Sequence, residues 1–211
     1  MEKDKREFII TELLTPGFIE HKKQEMLLEE TEETGRSELK VRLISAENLC
    51  IANIDKKKTE MQFFQQEKTS MNKRVDHIIF EHRPDHTWKV HLIEMKGSVG
   101  ERKWIEMKGK FRASYLIAQA IAGMLELQIS ETVMYTTFEK VRFAAPDTMP
   151  SSRRTGTGKA LIRMEEEWNG MRFGLNFGER ISFMHIPVQM VRNKKGILTG
   201  SLKETGKLGN P

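Results

Sequence analysis

A chain of 211 residues, 38% hydrophobic and 31% charged with a formal net charge of +5, can bury one substantial core but not two cores and a linker. Its single cysteine, Cys50, excludes an internal disulfide framework and a Cys-based zinc ribbon, and is expected as a small core residue. No run of about 18 apolar residues and no apolar N-terminal leader occurs, so a soluble cytoplasmic protein with no membrane partner is expected.

In chain order, residues 1–36 read as an N-terminal helical appendage, interrupted by Thr15-Pro16-Gly17 and closed by the acidic run EETEETG. Ser37 can cap a helix to about Ala52, because Leu39, Leu43, Ala46 and Cys50 recur at three- and four-residue spacing. After the polar connector Lys56-Lys57-Lys58, the runs TEMQFFQQEK (59–68), RVDHIIFEH (74–82) and TWKVHLIEMK (87–96) predict an antiparallel three-strand meander. From Lys103 to Gln128, Phe111, Tyr115, Ala118, Ala122 and Leu125 mark a long helix, and TVMYTTF (132–138) predicts a fourth strand. Residues 37–143 thus form the core. Residues 144–211 belong to the same domain and comprise a Pro/Ser/Thr/Gly-rich loop at 146–159, strands in MRFGLNFG and RISFMHIPVQMV, and a frayed basic tail of about twenty residues.

The charge is unevenly spread. Residues 1–143 carry 24 Lys and Arg against 24 Asp and Glu, and residues 144–211 carry 11 against 6. A basic last third suits a polyanion such as nucleic acid, or a solvated tail that binds nothing specific.

The pentapeptide IEMKG occurs twice, at 93–97 and 105–109. In a strand, Trp88, Val90, Leu92, Glu94 and Lys96 share a face, so an apolar ladder ends in a carboxylate and an amine that need a partner or a function. A hairpin turn at Arg83-Pro84-Asp85-His86 pairs residues whose numbers sum to about 170, which places Asp76 opposite Glu94. Asp85 sits at the turn tip, where Pro and Asp are explained by turn chemistry. In the second copy a helix sends Glu106 and Lys108 to nearly opposite sides, as solvated charges. His77, His82, His86 and His91 raise the question of zinc, but this register puts His77 and His91 on the face opposite Asp76 and Glu94, so they do not converge with His82 and His86. The stretch SSRRTGTGKA lacks phosphate-loop spacing, and a basic loop closing over nucleic acid is an alternative to plain disorder there.

Asp76 followed by Glu94-x-Lys96, between a preceding and a following helix, resembles the PD-(D/E)XK nuclease superfamily, the restriction-endonuclease-like fold, over residues 37–138. The resemblance implies an α/β fold with a central mixed sheet of four or more strands flanked by helices, in the order α-β-β-β-α-β. It implies a nuclease hydrolysing phosphodiester bonds in DNA with Mg²⁺ or Mn²⁺ held by Asp76, Glu94 and the Met95 carbonyl. Such cations prefer oxygen ligands and activate water. Lys96 would position or deprotonate that water. The family's additional acidic residue falls on Glu47, with Glu38 as runner-up. Gln119, in Tyr115-x-x-x-Gln119, either approaches the site or hydrogen-bonds to the sheet, and Lys110 and Arg112 either contact phosphates or are solvated. A homodimer or a protein partner in a larger complex fits this class. The alternative is a catalytically inactive nucleic-acid-binding or assembly protein on the same fold, with Glu94 and Lys96 as a buried ion pair.

Overall fold

The computed structural model describes residues 4–32, 35–57, 73–143, 164–170 and 173–204. A helical turn α1 (Lys5–Phe8) runs on through a π turn and is followed by β1 (Glu20–Lys22), β2 (Glu25–Glu32), β3 (Gly35–Arg42) and β4 (Asn48–Ile51). Next come β5 (His77–His82), β6 (Trp88–Glu94), β7 (Ser98–Gly100), the long helix α2 (Glu101–Met124), β8 (Ile129–Phe138) and β9 (Lys140–Arg142). A short helix α3 (Met164–Trp168) precedes β10 (Gly174–Asn176), β11 (Arg180–Ser182), β12 (Met184–Gln189), β13 (Val191–Arg192) and β14 (Leu198–Lys203).

The architecture is α/β, built on mixed sheets with few helices. Six strands form the central sheet in the order β1-β4-β5-β6-β8-β12. Strands β4, β5 and β6 are an antiparallel meander, and β8 then lies parallel to β6 after the α2 crossover, with β12 parallel to β8. One face packs Trp88, Val90 and Leu92 against Trp104, Met107 and Phe111 of α2. The other packs Ile79, Ile93, Val133 and Tyr135 against a second sheet, β13-β14-β3-β2, through Leu28, Leu39, Val41 and Leu202. Alternation explains this sandwich, because residues of opposite parity on β6 serve different cores.

Several expectations are corrected. The helix over 37–52 does not form. Leu39, Val41 and Leu43 are buried while Lys40 and Arg42 are exposed, the period-two pattern of a strand. The 1–36 stretch is not helical beyond residue 13, and it places β1 in the central sheet and β2 in the second. Among the described residues the leading helix of the order α-β-β-β-α-β is therefore missing, and helices pack on one face of the central sheet. Part of the tail is ordered as β14, which pairs parallel with β3. The expected strand at 59–68 and the loop at 146–159 lie outside the described residues. Cys50 is buried as expected, and burial pushes its thiol up to about 12, which makes it inert.

Candidate functional site

The hairpin has the expected register: His77 faces Ile93 and Ile78 faces Leu92. It turns at Arg83–His86, where the exposed Asp85 accepts hydrogen bonds from Thr87 N–H (3.1 Å) and Oγ1–H (2.7 Å) and takes no part in the site. Asp76 lies just before β5. Its N–H donates to the Ile93 carbonyl (3.1 Å), its carbonyl accepts from Ile54 N–H (2.9 Å), and its carboxylate accepts from Met95 N–H. Ser114 on α2 fixes the same segment by accepting from Val75 N–H at 3.0 Å. The Asp76 segment is thus held by the strand backbone on one side and by the helix on the other.

Glu94 closes β6 with no exposed surface. Its Oε1 carries Lys110 Nζ at 2.6 Å and Lys96 Nζ at 3.3 Å, and its buried Oε2 has no hydrogen-bond partner among the described residues. Burial, and then the neighbouring Glu94, push the Asp76 carboxyl well above the usual range, against Lys96 and Lys110. Burial also raises Glu94, again against the two lysines. Thr137 on β8 holds the Lys96 backbone, accepting from its N–H at 3.0 Å. Two strand ends and one helix therefore bring Asp76, Glu94, Lys96 and Lys110 together.

Other predicted residues lie elsewhere. Glu47 is in an exposed loop beside His82 (4.0 Å), at the turn end of the β5–β6 hairpin, on the order of 20 Å along the strand from Glu94. Glu38, the runner-up, pairs with Arg36 at 3.2 Å on β3. Gln119 is nine residues beyond Lys110, roughly 14 Å along α2, and lines a groove with Tyr115, Ser130 and Thr132 at the start of β8. Arg112 reaches the Asn176 carbonyl at 3.3 Å. In the second IEMKG, Glu106 is exposed and meets Arg102 at 3.7 Å, as expected for a surface charge. Lys108 is not solvated; its ammonium is 2.8 Å from the buried Glu167, which also holds Arg180 at 3.0 Å.

The structure adds residues that sequence reasoning missed. Glu30, Asp55 and Asp76 each offer a carboxylate oxygen, and these oxygens lie within 4.8 Å of one another. Glu30 continues the buried series Met26, Leu28, Glu30 on β2, an apolar ladder ending in a carboxylate just as on β6. That alternation was the available signal. Asp55 sits in a 3₁₀ turn after β4. Among the described residues no other group of three or more His, Cys, Asp or Glu is arranged for a metal, and the histidines do not gather.

No family model, no curated protein and no solved structure matches the chain.

Proposed function

We propose that the chain is a metal-dependent nuclease that hydrolyses phosphodiester bonds in DNA, with its centre at Asp76, Glu94 and Lys96. The observation that carries this reading is the fully buried Glu94, which keeps one carboxylate oxygen without a partner among the described residues while facing Lys96 and neighbouring Asp76. Burying an ionised carboxylate this way is costly unless something else is bound there. Oxygen ligands of this kind suit Mg²⁺ or Mn²⁺, which would be held by Asp76, Glu94 and the Met95 carbonyl and would supply Lewis-acid stabilisation of the phosphate. Lys96 would orient the attacking water and stabilise the developing negative charge, and Lys110 would offset charge beside Glu94.

Cleavage of linear, nicked and circular DNA in Mg²⁺ or Mn²⁺ tests the proposal. Glu94→Gln and Lys96→Ala should each lower the rate by about 10²-fold or more. Wild type without metal-dependent cleavage, or cleavage that persists in both variants, refutes it. The second reading, an inactive binding or assembly protein, draws on the ammonium groups seated on Glu94 at 2.6 and 3.3 Å. In that case melting would show no metal shift sensitive to Asp76→Asn, while nucleic-acid affinity would fall steeply with salt.

A further inference from the structure

We propose that Glu30, Asp55 and Asp76 form a divalent-cation site in which the second sheet closes over the end of the first. The inference shares Asp76 with the nuclease reading and goes beyond it in Glu30 and Asp55, which that reading does not use.

Three separate parts of the fold deliver the ligands. Glu30 comes from β2 of the second sheet, Asp55 from the 3₁₀ turn after β4, and Asp76 from the approach to β5. The Ile54 N–H to Asp76 carbonyl bond, 2.9 Å, staples the turn to the strand, so two of the ligands move as one body. The oxygens lie within 4.8 Å of one another. Ligands on opposite sides of Ca²⁺ are about 4.6–5.2 Å apart and those around Mg²⁺ about 4.2 Å or less, so one hard cation fits with little or no movement.

An acidic cluster alone would not identify a site, but Glu30 adds a second observation. It is 5% exposed, one of its oxygens carries Lys56 Nζ at 2.8 Å, and its buried Oε2 has no hydrogen-bond partner among the described residues. A carboxylate so deeply buried with one unsatisfied oxygen is the group a hard cation would complete. Asp55 is exposed and gives the ion a way in from solvent. Lys56, whose side chain is half-exposed, is an occupant that a dication can displace into water.

Calorimetric titration of the full-length chain with Ca²⁺, Mg²⁺ and Mn²⁺ tests the site. Saturable binding is expected, weakened at least ~10-fold by Glu30→Gln and by Asp55→Asn but retained in Glu94→Gln. Asp55 is exposed, so its variant keeps the test valid if Glu30→Gln fails to fold. Lys56→Gln should tighten binding several-fold, because it removes the competing ammonium; a purely structural ion pair would leave affinity unchanged. The proposal is overturned if the wild type binds no cation, or if Asp55→Asn and Lys56→Gln bind as the wild type does. The two readings fail separately. Cation binding lost in Asp55→Asn without any DNA cleavage by the wild type sinks the nuclease and leaves the site. Cleavage abolished in Glu94→Gln, with calcium affinity unchanged in Asp55→Asn, does the reverse.

Discussion

Asp76 is the residue on which stability and the proposed catalysis oppose each other. Because burial and Glu94 raise its carboxyl, the folded chain keeps a proton that the unfolded chain releases near the ordinary value of 3.8. Stability therefore falls as pH rises above that value and through the folded one. Asp76→Asn should melt higher than wild type at pH 8, with the gap closing toward pH 4, while DNA cleavage is lost. Buried histidines act with the opposite sign. His77 accepts from Asn53 N–H at 3.2 Å, and His185 bonds the Trp168 carbonyl at 2.7 Å and Thr136 at 3.0 Å inside an aromatic cage. Burial lowers both to about 4 from 6.5, so folded-state protonation is resisted and stability is lost as pH falls between those values. Each contributes about 3 kcal/mol over that window. His185→Gln should remove about half of the acid loss, read from urea midpoints between pH 7 and 4. The pairing of Asp76 with Glu94 was legible from the turn alone, because a hairpin fixes register by simple counting. Glu30 was hidden because its partners come from other segments, and no local pattern announces a contact across two sheets.

At the scale of elements, the first copy of IEMKG ends β6 and the second lies in the first turns of α2. Glu106→Ala should leave both cleavage and stability unchanged, within about 0.5 kcal/mol. Lys108→Ala should cost about 1–3 kcal/mol in chemical denaturation, because Glu167 stays buried with the half-exposed Arg180 beside it at 3.0 Å, yet cleavage should persist. Ser114→Ala strips the acceptor from buried Val75 N–H, which should also cost about 1–3 kcal/mol and, unlike Lys108→Ala, slow cleavage by loosening Asp76. The long helix and the hairpin were readable because their patterns are long or flanked by a clear turn. The stretch 37–52 misled because Leu39 and Leu43 are four apart, a spacing that suits one helical turn and two strand steps alike; the buried Val41 between them settles the matter. Strand β14 falls in the stretch read as a frayed tail, because its parallel partner is far away in sequence.

Across the whole molecule, the second sheet depends on β14, which joins β13 to β3 and buries Leu198 and Leu202. A chain ending before Leu198 loses about 1.5–3 kcal/mol for each of these side chains, besides the ladder itself. That is a large share of a typical stability of about 5–15 kcal/mol. Such a truncation should bind a hydrophobic dye and melt without a cooperative transition. Glu204, just past β14, ties the same region to the central sheet, accepting from Tyr135 at 2.7 Å and from Lys89 at 3.2 Å. The pairing of Ser37 with Leu198 spans on the order of 160 residues, and closing so long a loop costs about 4–5 kcal/mol beyond a constant before any contact is gained. The β2–β3 hairpin can form early, but its lasting attachment waits for β14, far later in the chain. During translation, Asp76, Glu94 and Lys96 would all emerge well before β14 could lock the sheet that carries Glu30. The order of synthesis thus becomes an order of assembly, in which the second sheet settles over Asp76 only once β14 has emerged to pair with β3.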